Sequence, residues 1–291
     1  MRKGIFVVWA AAVVSLALIG ENADAQEKPQ ASRAAAADGI VEIDVLDGSV
    51  AVTGWAKDAV QVTDEIGDAD RRIELSGDER RTMVKVLGKG VREVALSVSV
   101  PKGSRVQVRG RSLKITISGV EGALDLEATN GNIAAFGAPS EVRVRTLAGD
   151  IELEVGATRV RAETTSGDIS ITGARGELSV RATSGDVKIS GKPKGCGIAC
   201  TSGNVVFDGE LDEGSYRFES QSGTILLRLP AEVSAQFRAE TVTGEIANQL
   251  GPEPKRKGPF TPGSVLDFVT GGGKAKVSIS STTGTIRLQK K

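Results

Sequence analysis

Apolar and polar residues alternate along the chain in short segments, and these segments repeat. Each repeat is marked by a turn glycine, and these glycines are Gly131, Gly149, Gly167, Gly185, Gly203, Gly223, Gly244 and Gly284. Apolar residues lie seven and five positions before each glycine and two and four positions after it, with a break only at Asn248. This alternation predicts two short β-strands per repeat, with the glycine in the turn between them.

The spacing of the glycines predicts how the repeats are arranged. The first four intervals are 18 residues each, the next two are 20 and 21, and the last is 40. Short strands at such a period are typical of a solenoid, in which each coil stacks on its neighbours. We therefore predict an all-β fold, a single-stranded β-solenoid (β-helix) with about 18–21 residues per coil. The interval of 40 equals either two periods or one period with an insertion of about 20 residues.

Two regions depart from the repeat. Residues 38–117 contain alternating strands without a steady period, and they predict an irregular N-terminal β cap that is continuous with the solenoid of residues 118–291. Residues 249–275 contain four prolines, the basic run Lys255, Arg256 and Lys257, and three consecutive glycines. This composition predicts an insertion that leaves the coil as a long exposed excursion.

The N-terminus has the features of an export signal. Arg2 and Lys3 precede an apolar run over residues 5–19, and Ala23 and Ala25 supply a small-x-small cleavage pattern. We predict a signal peptide over residues 1–25, cleaved near Ala25, followed by a flexible linker over residues 26–37. Retention as a membrane anchor is the less favoured alternative, because a bilayer span needs ~20 apolar residues. The predicted location is the periplasm or the cell surface, with no transmembrane anchor after cleavage.

Composition and charge narrow the function classes. The chain of 291 residues has no histidine, two cysteines, 3% aromatic residues and 37 charges of each sign. The absence of histidine excludes Ser-His-Asp and Cys-His catalysis and histidine-ligated metals. Zero net charge gives no electrostatic reason to expect nucleic acid as a partner. The 36 glycines are explained largely by the turns, because a tight turn often requires a positive φ.

The two cysteines lie on one predicted strand. In the repeat alignment Cys196 matches Leu178 and Cys200 matches Ala182, so both side chains point inward. Four residues of extended chain separate them by roughly 13 Å, whereas a disulfide needs Cα atoms within ~7 Å. We interpret them as small buried hydrophobic residues.

Outward positions supply the candidate binding residues. The column six residues before the glycine is mildly basic and contains Arg143, Arg161, Arg217 and Arg238. Together with Lys255, Arg256 and Lys257 of the insertion, these arginines are candidates for a surface that holds an anionic polymer or an envelope protein. The alternative is a solvated face that neighbouring glutamates neutralise.

A second column directly follows each turn glycine. It contains Asp150, Asp168 and Asp186, and stacked carboxylates of this kind can bind Ca²⁺. The full glycine-rich phrase of calcium-binding rolls is missing, so calcium is the weaker interpretation. We favour turn-capping, in which these carboxylates accept backbone N–H bonds.

The recurring phrases are similar to those of a known family. The phrases over residues 165–169, 183–187 and 283–288, together with Val98-Ser99-Val100-Pro101, resemble the bacterial "putative adhesin" family, a domain of unknown function of the cell envelope. The resemblance covers roughly residues 38–291. It implies a secreted or envelope-associated β-helix with no established enzymatic activity, and it supplies no catalytic residues.

Three functions remain open at this point. The leading hypothesis is a non-enzymatic, adhesin-like or structural module that binds an envelope protein or glycan and needs no cofactor. The second is a polysaccharide-acting β-helix enzyme, a lyase or hydrolase working with carboxylate, Lys or Arg chemistry. The third is a self-assembling envelope scaffold whose coil ends stack into filaments.

Overall fold

The computed structural model describes residues 30–66, 71–88, 93–258 and 260–291. Every regular element in these residues is a β-strand, and no helix in them could span a membrane. In chain order the strands are β1 (Gln30–Ala34), β2 (Ile40–Asp44), β3 (Asp47–Trp55), β4 (Ala59–Asp64), β5 (Arg72–Gly77), β6 (Arg81–Leu87), β7 (Val94–Pro101), β8 (Arg105–Ser118), β9 (Leu124–Asn130), β10 (Ile133–Gly137), β11 (Glu141–Ala148), β12 (Ile151–Val155), β13 (Arg159–Ser166), β14 (Ile169–Ala174), β15 (Glu177–Ser184), β16 (Val187–Gly191), β17 (Gly195–Ser202), β18 (Val205–Gly209), β19 (Gly214–Ser222), β20 (Ile225–Leu229), β21 (Ala235–Thr241), β22 (Ile246–Asn248), β23 (Lys255–Arg256), β24 (Ser264–Thr270), β25 (Ala275–Ser281) and β26 (Ile286–Lys290). The predicted signal peptide of residues 1–25 and residues 26–29 of the predicted linker lie outside the described residues.

Each coil contributes one strand to each of two parallel sheets. Strands β9, β11, β13, β15, β17 and β19 pair in this order and form the first sheet. Strands β10, β12, β14, β16, β18 and β20 form the second sheet in the same way. The 14-residue strand β8 pairs with β9 through its first part and with β10 through its second, so it joins the two sheets. The predicted β-solenoid with two strands per coil is confirmed.

The core lies between the two sheets and consists of stacked columns of like residues. The β-branched column that follows the turn begins with Ile133, Ile151 and Ile169 in register on neighbouring coils, and each of these side chains is at most 1% exposed. Burying one such side chain stabilises the fold by roughly 1.5–3 kcal/mol. The alternation of apolar and polar residues therefore accounts for which face of each strand turns inward.

The turn glycines are required by both conformation and space. Gly149 has a φ of 146°, and a Cβ atom at this position would lie 2.2 Å from the carbonyl oxygen of Gly131 in the preceding coil. The six turn glycines from Gly131 to Gly223 all have positive φ, whereas the turn glycines Gly244 and Gly284 do not. At Gly284 the requirement is spatial, because a Cβ would lie 1.8 Å from the oxygen of Gly223.

The N-terminal segment is more regular than predicted. Strands β2 and β3 form a coil that pairs in parallel with β8, and β6 and β7 form another coil on its outer side. The irregularity is confined to β1, β4 and β5, which pair antiparallel and cover the end of the stack. The prediction of a flexible linker over residues 26–37 is wrong for residues 30–34, because β1 pairs with β4 and its Arg33 donates to the carbonyl oxygens of Leu75 and Gly77.

The last coil of the chain is not the last coil of the stack. Strand β25 pairs with β19 on one side and with β21 on the other, and β26 lies in the same way between β20 and β22. The coil of β25 and β26 therefore separates two coils that are consecutive in sequence. The interval of 40 residues is one period with an insertion, and the expectation that coils stack in sequence order is wrong here.

The insertion is partly ordered against the sheet. Strand β24 pairs antiparallel with β21, and β23 pairs antiparallel with β24. The ring of Phe268 stacks on that of Phe237, with centroids 4.9 Å apart. The predicted long exposed excursion is therefore wrong for β24. This strand covers the outer edge of the first sheet, and without it the N–H and C=O groups of that edge would be unpaired.

Both cysteines are free and buried on β17. Burial raises the pKa of the Cys196 thiol and that of the Cys200 thiol, so both stay protonated at neutral pH. The interpretation of the pair as small buried hydrophobic residues is confirmed.

Candidate functional site

The carboxylates that follow the turn glycines form a hydrogen-bonded ladder between coils. The side-chain oxygen of Asn132 accepts the N–H of Asp150 at 3.0 Å, Asp150 accepts that of Asp168 at 2.9 Å, and Asp168 accepts that of Asp186 at 2.8 Å. The ladder continues through Asp186 and ends at the N–H of Thr224. These are the bonds that turn-capping requires. Within the described ranges, no group of three or more Asp, Glu or Cys side chains is arranged to hold a metal ion.

Removing one rung of this ladder should weaken the fold modestly. We expect Asp168→Ala to lower the free energy of unfolding by about 1 kcal/mol, because the N–H of Asp186 loses its protein acceptor. Asp168→Asn is the matched control and should stay near the wild-type value, since Asn132 accepts the same bond in the first turn. Urea titrations of the three proteins measure the difference, and equal losses in both variants would contradict the role of the side-chain oxygen.

The basic column predicted from the sequence is interrupted. Arg143 and Arg161 face each other on neighbouring strands. The next two positions in the column are Ser179 and Gly197, so two strands separate Arg161 from Arg217. The structure therefore brings Arg143 and Arg161 together and leaves Arg217 apart from them.

The remaining arginine of the column is isolated for a different reason. Ser278 of the intercalated strand β25 lies between Arg217 and Arg238. Arg217 forms an ion pair with Glu219 on its own strand, and the guanidinium of Arg238 lies 4.0 Å from the carboxylate of Asp267. These two arginines fit the neutralised-face interpretation better than a binding strip.

A groove crosses the outer face of the first sheet where the column loses its side chains. It has a volume of about 630 Å³, and we call it the glycine groove. Small residues form its floor, namely Ser179, Gly195, Gly197 and Ser215. Charged residues line its rim, namely Glu141, Arg143, Arg159, Arg161, Glu177 and Lys194. The groove extends over five strands, from β11 to β19, which corresponds to about 19 Å.

Three arginines beside the groove share one carboxylate. Glu163 accepts hydrogen bonds from Arg161 at 2.9 and 2.7 Å and from Arg145 at 3.1 Å, and the guanidinium of Arg181 lies 3.6 Å away. Partial burial alone would raise the pKa of Glu163, but the hydrogen bonds from Arg161 and Arg145 outweigh it, so the pKa lies below its ordinary value. The Glu163 carboxylate is therefore fully ionised and still leaves two of the three positive charges uncompensated.

The face around the glycine groove is consequently basic in a chain that is neutral overall. The outward residues of β11, β13 and β15 include five arginines and three glutamates, and Lys194 directly precedes β17. Lys194 has no carboxylate partner within the described residues, whereas Arg143 lies 3.9 Å from Glu141 and Arg159 lies 3.6 Å from Glu177. The local excess of positive charge is available to an anionic ligand.

Sequence reasoning identified the rim arginines Arg143 and Arg161 but missed the groove itself. Arg159, Lys194 and the glycine floor were not candidates, because Arg159 and Lys194 lie outside the basic column of Arg143 and Arg161 and glycines carry no charge. The sequence signal that could have revealed the groove is the pair of small residues Ser179 and Gly197, which interrupt an outward column of arginines.

The basic run of the insertion lies away from the glycine groove. Lys257 forms an ion pair with Glu240, and Lys255 lines a cavity of about 460 Å³ together with Arg238. Three carboxylates line the same cavity, namely Glu240, Glu253 and Asp267. Arg256 lines a separate cavity at the turn beside Glu245. Carboxylates thus balance the run, and the structure does not bring Lys255, Arg256 or Lys257 to the arginines of the groove.

Comparison with known proteins places the chain in a described family. The Toastrack DUF4097 family matches residues 37–289. Among solved structures, the chain is similar to a putative adhesin from Bacteroides fragilis, with 11% identity over 89% of this chain and 95% of that one and a TM-score of 0.41. A putative adhesin from Parabacteroides distasonis shows 10% identity over 90% of this chain and 98% of that one, with a TM-score of 0.37. No curated protein matches the chain significantly.

Proposed function

The chain belongs to the Toastrack DUF4097 family, whose function is unknown, and we propose that it is a non-enzymatic binding module that holds an acidic polysaccharide in the glycine groove. The observation that carries this proposal is the combination of a floor without large side chains and a rim with an excess of cations. We further propose that the signal peptide directs the protein to the periplasm or the cell surface, where such polymers occur.

The shape of the groove favours an extended polymer over a small molecule. It runs across five stacked strands, and Gly195 and Gly197 contribute no side chains to its floor. A small ligand would be buried on one side only, whereas most small-molecule sites bury 70–90% of the ligand. A polymer chain compensates for shallow contact by its length, since each sugar unit along the groove adds contacts.

The charges of the rim favour carboxylate-bearing sugars. Guanidinium groups donate two parallel hydrogen bonds to a carboxylate, and Arg143, Arg159 and Arg161 cluster on the adjacent strands β11 and β13 at one end of the groove. Lys194 adds a cation without a partner in the described part of the chain. Arg143 and Arg161 face each other across one strand separation of about 4.8 Å, a spacing that suits two neighbouring charges of an acidic polymer.

Two features favour binding over the alternative functions. Of the groove carboxylates, Glu141 is half-buried and Glu177 is exposed, and both lie close to arginines, whereas the general acid of a glycosidase is typically a carboxyl group in an apolar pocket. Both ends of the stack carry antiparallel strands, such as β4 and β24, which favours a closed module over coil-end assembly into filaments.

Filling the groove tests this function. A Cβ atom at Gly197 would meet no atom within 4 Å, so Gly197→Tyr places a large outward side chain on the groove floor without disturbing the sheet. We expect the wild-type protein to bind polygalacturonate at low salt and to release it as salt rises, because the attraction is electrostatic. Gly197→Tyr should weaken binding about tenfold or more, a loss of about 1.4 kcal/mol.

The matched control is Ser170→Tyr, which adds the same side chain to the outer face of the second sheet between Glu152 and Lys188. This variant should bind polygalacturonate like the wild type in the same titration. Absence of binding by the wild type at low salt, or undiminished binding by Gly197→Tyr, would refute the proposal.

A further inference from the structure

The outer face of the second sheet carries an uncharged surface near the N-terminal end, which we call the neutral face. Its residues form two rows across six neighbouring strands, β1, β4, β7, β3, β8 and β10. The first row is Gln30, Thr63, Ser97, Ala51, Thr116 and Ala134. The second row is Ser32, Gln61, Ser99, Thr53, Ser118 and Phe136. None of these twelve residues is charged, although 25% of the chain is.

The neutral face ends sharply where charged residues resume. The next strand, β12, places Glu152 beside Ala134 and Glu154 beside Phe136. Further along the same sheet the outward residues include Lys188, Asp208 and Arg228. The lack of charge is therefore a property of this one surface and not of the outer sheet in general.

Seven of the twelve side chains of the neutral face carry hydroxyl groups, and two carry amides. A hydroxyl both donates and accepts hydrogen bonds, so such a surface matches a ligand whose own groups are hydroxyls. The hydroxyls of Thr53 and Ser118 lie 3.4 Å apart and leave further donor and acceptor capacity for a ligand. A charged ligand would find no counter-charge among these residues and would be partly desolvated without compensation.

Two aromatic rings flank the hydroxyl rows. Trp55 ends strand β3 two residues beyond Thr53, and Phe136 lies two strands away in the row of Thr53. The strand geometry separates their Cα atoms by about 12 Å. The indole of Trp55 is held by an Nε1–H bond to the carbonyl oxygen of Ala59 at 2.8 Å, and the ammonium of Lys57 lies 4.8 Å from the centre of its ring system.

Rings at this separation on a flat hydroxyl surface suit sugar recognition. The C–H face of a pyranose ring packs on an aromatic ring while its equatorial hydroxyls bond to neighbouring polar groups. A short oligosaccharide spans the distance between Trp55 and Phe136. We infer that the neutral face binds an uncharged, extended polysaccharide chain, through a site that is independent of the glycine groove.

Depletion by insoluble polymers tests this inference. We expect chitin or cellulose powder to remove the purified protein from solution equally at low and high salt, because no ion pair is involved. Phe136→Ala should weaken this binding about tenfold, since one ring contact is lost. Ala51→Glu should weaken it at least as much, because Ala51 is exposed in the middle of the first row and a carboxylate there would be desolvated by the polymer.

The control is Ser170→Glu, which places the same charge on the same sheet outside the neutral face and should bind like the wild type. Urea midpoints of all variants separate loss of binding from loss of fold. Gly197→Tyr should retain binding to the neutral polymer, which distinguishes this site from the glycine groove. Depletion by neither polymer, or undiminished binding by Ala51→Glu, would overturn the inference.

Discussion

Replacement of the turn glycine Gly167 by alanine should destabilise the protein by about 4 kcal/mol. Its φ is 134°, and a Cβ atom would lie 2.2 Å from the oxygen and 2.6 Å from the carbon of Gly149 in the preceding coil. The unfavourable φ costs about 1–3 kcal/mol, and separating two stacked coils to admit a methyl group adds a similar amount. Both neighbouring atoms belong to the backbone, so no side-chain rotation relieves the contact.

Gly197→Ala is the matched control for this prediction. Gly197 lies in the interior of β17 with space around it, and an added Cβ would meet no atom within 4 Å. The same chemical change there should shift the free energy of unfolding by less than about 1 kcal/mol, and in the stabilising direction. Urea unfolding of both variants gives the comparison. Similar effects at the two sites would show that the turn glycines are not what fixes the coil spacing.

The coil could be predicted from the sequence because its cause is local. The glycine, the polar residue after it and the alternating strand residues recur within each repeat, so one coil contains the information for its own turn and its inward face. Ile151 and Leu153, for example, were placed in the core by their distance from Gly149, and both are 1% exposed. The positions of Cys196 and Cys200 followed from the same register.

The order of the coils could not be predicted because it depends on contacts between distant residues. The coils of Gly244 and Gly284 share three of their four apolar columns and differ in the fourth, where Asn248 stands in one and Leu288 in the other, so the repeat pattern alone does not decide which coil pairs with β19 and β20. The choice follows from the insertion, in which β24 pairs antiparallel with β21 and leaves β25 to fill the space between β21 and β19. The N-terminal coils could not be predicted for the same reason. Strands β4 and β5 interrupt the period along the sequence, although β2 and β3 stack on β6 and β7 as regular coils.

Only part of the candidate site could be predicted from the sequence, because contacts between neighbouring coils are not apparent in it. Columns of charge show which residues share a face, and they correctly placed Arg143 next to Arg161. They do not show which carboxylate each arginine contacts, and Glu163 engages arginines from three different coils. A groove formed by missing side chains, as at Gly197, becomes apparent only when neighbouring strands are placed beside each other.

The intercalated coil leads to a second large effect, produced by Ile279→Asp. Ile279 lies on β25 and is 1% exposed, so the substitution buries an unpaired carboxylate at a cost of several kcal/mol. Because solenoid coils are stabilised by their immediate neighbours, we expect the end of the stack to unfold locally while the coils from β9 to β18 stay folded. Hydrogen exchange measured by mass spectrometry should show lost protection in β25, β26, β21 and β24.

Ala239→Asp is the matched substitution in the outer coil, since Ala239 lies on β21 and is also 1% exposed. It should remove protection from β21 and β24 and leave β25 and β26 protected against β19 and β20. A stack built in sequence order predicts the reverse, because Ile279→Asp would then release the terminal coil alone and Ala239→Asp would release both. The two variants thus distinguish the observed order from the sequential one, since each order assigns the wider loss of protection to a different substitution.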